Sequence, residues 1–339
     1  MALNFLNGKC LIVAEVAQAH DGSVGLAHSY IDAVVNTGAD CIKFQMHLPE
    51  YESTLDEPFR INMGSQDHNR YEYWNRTGFS VSQWAEIIEH ATSCGLAFLC
   101  SGFSVSAIEI LRDLGVSAWK LPSGEIESFE LIDSMGQDKL PILISTGLAS
   151  YKLIDNIVEK VRSVDSPYAL FQCTSRYPTP IADTGLNVME ELKRYGGPVG
   201  LSDHSGSILP SLLAISRGAS LIEVHIAFDK RIDGPDVESS ITVDELKMLC
   251  EGRDVFHKID QNVVDKDSVA ESLSNVREIF SKSLALTEFQ NAGTRLTEDM
   301  IGLKKPGGGI KRQDATRVVG RTLRHNKEPN RLLDWADFE

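Results

Sequence analysis

Residues 198–206 read PVGLSDHSG. Proline, valine, glycine and leucine run without a polar break into Ser202, Asp203 and His204, and Gly206 closes the stretch. Consecutive apolar positions imply a strand covered on both faces, because a half-exposed strand would alternate. The abrupt polar ending places a hydroxyl, a carboxylate and an imidazole where strand gives way to loop. The same design recurs in CLIVAEV (10–16), CIKFQ (41–45), AFLCS (97–101), AWKLPS (118–123), PILIST (141–146), YALFQCT (168–174) and LIEVHI (221–226). Amphipathic stretches lie between these runs. In 24–37 the apolar positions 26, 27, 30, 31, 34 and 35 follow a 3.6-residue period, and Gly38 is a natural stop. Residues 80–95 and 105–115 repeat the pattern, with Gly95 and Gly115 as stops.

Eight strand–helix alternations predict an α/β fold, a (β/α)₈ TIM barrel, in preference to a doubly wound open sheet. The 339 residues exceed the roughly 250 of such a barrel. The pattern breaks after 258. We therefore expect a catalytic barrel over 1–258, a polar linker over 259–279 and a small second domain over 280–339. The polar stretch 46–79 reads as a long βα loop over the barrel mouth, where binding residues concentrate.

A net charge of −15 argues against nucleic acid or an anionic membrane as partner, since both select basic surfaces. No run approaches the roughly 18 apolar residues of a membrane span, and no secretory leader is read. The six cysteines form no C-x-x-C pair and mostly sit in apolar runs, as reduced thiols of a cytoplasmic protein would.

In barrel enzymes the chemistry lies at the C-terminal strand ends. Those ends carry Glu15; Lys43 and Gln45; Ser101; Lys120, Ser123 and Glu125; Ser145 and Thr146; Thr174, Ser175 and Tyr177; Ser202, Asp203 and His204; Glu223 and His225. The opposite ends show nothing comparable. Two lysines among short hydroxyls suit a phosphate, and a lysine within an apolar strand is costly unless paired. His204 and His225 end adjacent strands about 4.8 Å apart, so they could share a divalent ion, with Glu15 and Glu223 as carboxylate partners. Asp203 suits either the site or the turn after its strand.

In order along the chain stand AEVAQAHDGS, IKFQ, KLPSGEI, ISTG, CTSRYPTP, GLSDHS, EVHI and DGPD, followed by the tail RLTEDMIGLKKPGGGI. Together they resemble the sialic acid synthase family over essentially the whole chain, and the tail is similar to its C-terminal antifreeze-like (SAF) domain. That resemblance implies condensation of phosphoenolpyruvate with an N-acetylated hexose to a nine-carbon 2-keto-3-deoxy acid. It implies Lys43, Ser101, Lys120, Ser123, Ser145, Ser175 and Ser202 as binders of phosphoenolpyruvate. It implies His204 and His225 as ligands of Mn²⁺ or Mg²⁺, and Glu15, Gln45, Glu125, Tyr177 and Asp236 toward the sugar or the reacting centre. A domain-swapped homodimer belongs to the same expectation.

The match departs from the family at Ala19 before His20, at Ser101-Gly102, at Ser175 and at Lys305, which replaces a sugar-facing arginine and lacks its bidentate fork. Changes on the sugar side favour a 2,4-diacetamido-hexose over plain N-acetylmannosamine. Three other readings remain at this point: a Schiff-base pyruvate lyase, another 3-deoxy-ulosonate synthase such as one making 3-deoxy-octulosonate phosphate, and a non-catalytic sugar-binding barrel.

Overall fold

A strand presents alternate residues to opposite faces, so a closed ring of strands sorts every second residue inward. The computed structural model describes residues 8–61 and 66–339. Eight parallel strands form in chain order: β1 (Leu11–Ala17), β2 (Cys41–Met46), β3 (Ala97–Gly102), β4 (Ala118–Leu121), β5 (Ile142–Ser145), β6 (Tyr168–Cys173), β7 (Val199–Asp203) and β8 (Leu221–Ala227). Each pairs with the next, and β8 returns to pair with β1, which closes the barrel. A two-residue strand, β9 (Ile241–Thr242), adds to β8 outside the ring.

The outward residues, among them Ile12, Ala14, Ile42, Phe44, Phe98 and Ile222, pack against the surrounding helices. The inward residues Val13, Cys41, Leu99, Ala118, Leu143, Ala169, Phe171 and Leu221 fill the barrel interior. Strand β7 contributes Gly200 there, where a Cβ would lie 2.3 Å from the Leu221 carbonyl oxygen. The helices begin as the sequence suggests. Ser23, Ser80, Ser104 and Ser150 each cap one by accepting a backbone N–H, and Gly115 ends the helix that Ser104 starts, in the left-handed region at φ 87°.

The lower end of the barrel is held by the helix Val243–Gln261. Its Arg253 is buried, pairs with Asp40, donates to the Gly38 carbonyl at 2.8 Å and reaches the Cys10 carbonyl at 3.4 Å. Asp40 also accepts the Ile12 N–H at 2.8 Å, so one buried guanidinium ties the last barrel helix to the starts of β1 and β2.

The stretch 46–79 contains two short helices, Pro49–Glu52 and Arg70–Thr77, with residues 62–65 outside the described residues. Asn69 caps the second by accepting from Glu72 N–H, a local signal that the polar composition masked.

The chain divides into two units, Met1–Gln261 and Asn262–Glu339. The expected linker is helical in this structure: the helix Val243–Gln261 runs into it, and Lys266–Ser272 and Ser274–Phe280 follow. Asp265 starts the first of these by accepting two N–H groups, so polarity there reflects exposed helices. In the second unit β10 (Ser283–Leu286) pairs antiparallel with β11 (Ile301–Lys304) over a small core that includes Leu284, Leu286, Ile310, Leu323 and Leu333. Among the described residues no helix is long and apolar enough to cross a membrane.

Candidate active site

Two residues further along each inward face, the apolar layer gives way to a polar one. Val13 is followed by Glu15, Cys41 by Lys43, Leu99 by Ser101, Ala118 by Lys120, Leu143 by Ser145, Phe171 by Cys173, Gly200 by Ser202 and Leu221 by Glu223. One more step along β8 brings His225. The period of two therefore gathers these groups on one level of one surface, and all eight of that layer are buried.

The layer is a connected network of charges. Lys43 Nζ lies 2.8 Å from Glu15 Oε2, 3.4 Å from Ser101 Oγ and 3.8 Å from Glu223 Oε2. Lys120 Nζ donates to Ser145 Oγ at 2.7 Å and lies 3.3 Å from Glu223 Oε1, which also accepts from Ser202 Oγ at 3.0 Å. Burial favours neutral lysine. At Lys43 the two glutamates outweigh it, and the ammonium titrates above its ordinary value. At Lys120 burial wins over Glu223, with Lys43 adding repulsion, and the value falls below the ordinary one. Burial pushes Glu223 up, but the two lysines pull harder and take it down to about 2. Glu15 and Glu223 thus serve as counter-ions of the lysines, where the sequence suggested partners for a metal.

After Ser145 the chain turns into a tightly packed cluster. The Gly147 N–H donates to Ser123 Oγ at 3.0 Å, and Cys173 Sγ sits 3.7 Å from Ser123 Oγ and 3.9 Å from Ser175 Oγ. A Cβ on Gly147 would lie 2.3 Å from Ser175 Oγ and 2.9 Å from both Cys173 Sγ and Ser123 Oγ. Only glycine lets the backbone approach this hydroxyl-lined cluster so closely. Cys173, which the sequence presents as a core thiol, is part of it.

The two histidines meet above. Their ring centroids are 5.2 Å apart, and the Tyr177 ring lies 4.1 Å from His204 and 5.9 Å from His225. His204 Nδ1 is 3.3 Å from the Thr174 carbonyl, which fixes that nitrogen as the donor and leaves Nε2 with a free lone pair. Burial, with repulsion from His225, holds His204 well below the usual imidazole range and hence neutral. Burial also holds the Tyr177 hydroxyl protonated, well above its ordinary value. His225 Nδ1 lies 3.9 Å from Asp236 Oδ2.

A cavity of about 360 Å³ opens over these groups, lined in part by Gln45, Ser123, Ser175, Tyr177, His225 and Asp236. The long loop after β2 supplies its outer wall. Arg60 donates to Asp236 Oδ1 at 2.6 Å and to the Pro235 carbonyl at 2.9 Å, with its guanidinium 4.2 Å above the Tyr177 ring. His47 is stacked between Trp74, at 3.7 Å, and Phe103, at 4.1 Å. Gln45 Nε2 donates to Glu15 Oε1 at 2.8 Å, and its Oε1 lies 3.2 Å from His47 Nε2. Arg60, His47 and Trp74 escape sequence reading because an irregular loop has no period; the aromatic and basic residues of 59–76 were the available signal.

Three expected residues stand apart from this network. Glu125 accepts from Ser128 Oγ at 2.6 Å, and burial raises its pKa. Asp203 accepts from Ser205 N–H at 2.9 Å and from the hydroxyls of Ser205 and Ser211, so it holds the turn after β7. Lys305 belongs to the C-terminal unit, where its ammonium lies 5.2 Å over the Phe280 ring. His20 packs 4.5 Å from Phe79, and burial pushes it down to about 4.

Residues 30–264 match the NeuB family, and residues 291–339 match the SAF domain. The chain is 30% identical to an N,N'-diacetyllegionaminic acid synthase of Campylobacter jejuni, over 96% of this chain and 99% of that one. It is 29% identical to a pseudaminic acid synthase of Helicobacter pylori, over 97% of each. Its fold superimposes on the N-acetylneuraminic acid (sialic acid) synthetase of Leptospira borgpetersenii with a TM-score of 0.70 and 25% identity, covering 83% of this chain and 97% of that one.

Proposed function

The chain belongs to the NeuB family, and on that footing we propose that it condenses phosphoenolpyruvate with an N-acetylated hexose, giving a nine-carbon 2-keto-3-deoxy acid and phosphate. The supporting observation is the pair of buried lysines with the Ser101, Ser145 and Ser202 hydroxyls in their network. A cationic, hydroxyl-lined and largely desolvated pocket is what a small phosphorylated carboxylate needs. The legionaminic and pseudaminic names of two relatives favour a 2,4-diacetamido-hexose as acceptor.

In the reaction, C3 of phosphoenolpyruvate bonds to the aldehyde carbon of the open-chain sugar, whose oxygen takes a proton and becomes a hydroxyl. Water adds at C2 and gives up a proton. The C2–O bond to phosphate then breaks, and the C2 hydroxyl loses its proton to leave the ketone. Lys43 and Lys120 neutralise charge on carboxylate and phosphate as the leaving group departs, with Ser101, Ser145 and Ser202 donating around them. Ser123 and Ser175, which line the cavity, receive phosphate oxygens. Tyr177, kept protonated beside both histidines, is placed to hydrogen-bond the aldehyde oxygen. The proton of water goes to a carboxylate, Glu15 or Glu125: Glu15 is held by Lys43 and Gln45, and Glu125 accepts from Ser128 with its pKa raised by burial. Gln45 orients Glu15, and Asp236 with Arg60 faces the sugar.

His204 and His225 fit a divalent ion: both are buried side by side, and His204 presents a neutral ring with a free Nε2. Mn²⁺ or Mg²⁺ bound there would supply Lewis acidity toward the aldehyde. Homodimer formation and a cytoplasmic location belong to the same proposal.

The test is phosphate release from phosphoenolpyruvate with Mn²⁺ across N-acetylmannosamine, arabinose 5-phosphate and diacetamido-hexoses, with EDTA and His225→Ala as controls. Metal-dependent release with a diacetamido-hexose supports the reading. Release only with arabinose 5-phosphate would move the protein to another ulosonate synthase. A borohydride-trapped adduct on Lys120 with pyruvate would replace the reading with Schiff-base chemistry, and sugar binding without release would make the barrel a binder.

A further inference from the structure

The helices Val24–Val35 and Val81–Ser93 pack side by side on the outside of the barrel unit, away from the strand ends. Residues four apart share one face of a helix, so His28 and Asp32 project together from the first. His90 and Cys94, the latter capping the second helix, project together from the other. These pairs converge. His90 Nε2 lies 3.1 Å from Asp32 Oδ1, and its other nitrogen, Nδ1, lies 2.8 Å from His28 Nδ1. One donor atom each from Asp32, His90 and Cys94 lies within 4.8 Å of the other two.

We propose that Asp32, His90 and Cys94 form a zinc site on the outer helical wall, distinct from the histidine pair at the barrel mouth. A tetrahedral zinc site with N, O and S donors has ligand–ligand separations of roughly 3.2–3.8 Å. The aspartate–imidazole pair, at 3.1 Å, lies at the lower edge of that spacing, and the cysteine sulfur is within 4.8 Å of both. A ligating imidazole characteristically gives its second N–H to a fixed acceptor, which sets the tautomer. His28 is that acceptor: two unprotonated nitrogens at 2.8 Å would repel, so Nδ1 of one ring carries the proton. Without metal, His90 Nε2–H donates to Asp32 Oδ1 and Nδ1 accepts from His28; zinc at Nε2 would displace that proton, with His90 Nδ1–H then directed at His28. Surface aspartate–histidine pairs are common, but this one has a thiol on one side and a second imidazole behind it. Cys94 is the one exposed cysteine of the six. A thiolate with an imidazole and one carboxylate selects zinc over magnesium or manganese, the ions suited to oxygen-rich centres. Asp32 is largely exposed and His90 partly so, leaving an approach for the ion and a fourth position for water. Bound there, zinc would cross-link two helices that are otherwise held by apolar packing.

The experiment is a Co²⁺ titration of the chelator-treated, full-length protein, reading the thiolate-to-cobalt charge-transfer absorption, with zinc displacement as the second readout. One cobalt per chain should give the band, and zinc should abolish it. Cys94→Ser should lose the band while releasing phosphate from phosphoenolpyruvate as the parent does. His90→Gln should weaken binding at least tenfold, and His28→Ala by roughly 10- to 100-fold through the lost orientation. No band in the parent protein would overturn the proposal. So would a band that survives Cys94→Ser, which would place the metal at buried Cys173, or cobalt affinity unchanged in His90→Gln. None of these outcomes depends on the reaction proposed for the barrel mouth.

Discussion

Replacing Glu223 by glutamine should cost stability in a pH-dependent way that can be worked from the site. Its carboxylate faces Lys120 at 3.3 Å, Lys43 at 3.8 Å and the Ser202 hydroxyl at 3.0 Å. Burial opposes its charge, yet the lysines hold it at about 2 against 4.5 in the free chain. The folded value lies below the unfolded one, so the unfolded state takes up the proton first as pH falls. The contribution is therefore complete above 4.5 and lost on descending through 2. At pH 7 it is worth about 3 kcal/mol, and at pH 3 about 1 kcal/mol remains. Glutamine keeps the shape and the hydrogen bond from Ser202 but does not titrate. The stability deficit of Glu223→Gln, measured by reversible urea denaturation, should thus shrink from about 3 to about 1 kcal/mol between pH 7 and pH 3. An equal deficit at both pH values would refute the reasoning, because Glu223 would then not be held ionised by the lysines.

Other outcomes follow from the same geometry. Gly147→Ala places a methyl 2.3 Å from Ser175 Oγ and 2.9 Å from Ser123 Oγ and Cys173 Sγ, so these side chains must shift; it should raise the KM for phosphoenolpyruvate at least tenfold in a phosphate-release assay and lower the thermal midpoint. Arg60→Ala removes a charged hydrogen bond to Asp236 and the cover over Tyr177, and should raise the acceptor KM roughly 10- to 100-fold with little change in that for phosphoenolpyruvate. Arg253→Leu strands Asp40 and should lower stability by about 3 kcal/mol in urea denaturation, with both KM values unaltered because the change lies at the far end of the barrel.

The barrel was legible because its strands are covered on both faces. Each apolar run in the sequence became a strand within a residue or two, and the polar ending of each run became the polar layer. The spacing Val13–Glu15, Cys41–Lys43 and Ala118–Lys120 already contains that layer once the period of two is applied. What the sequence hid were partnerships across strands. Glu223 reads as a metal partner beside His225, and both do face inward, but the two-residue step puts Glu223 one level deeper, among the lysines. Asp203 has the same ambiguity, resolved by the Ser205 and Ser211 hydroxyls that occupy it. Arg60 and His47 were out of reach because their positions depend on how an irregular loop folds back over the mouth. Glu125 carried the right residue type in the right motif, and its hydrogen bond from Ser128 is a local partner that the motif does not reveal.

The closure of β8 onto β1 joins Glu15 to His225, residues more than two hundred positions apart in the chain. On a ribosome adding roughly 5–20 residues per second, β1 waits about 10–40 s for that neighbour to be synthesised. During that interval one edge of a strand that is apolar but for Glu15 lacks its partner, and the guanidinium that ties down the starts of β1 and β2 arrives later still. The nascent chain is therefore at its most adhesive just before the last quarter of the polypeptide emerges. Slowing synthesis near residues 221–253 should lengthen that window and lower the soluble yield, while the same slowing after residue 261 should leave the yield unchanged.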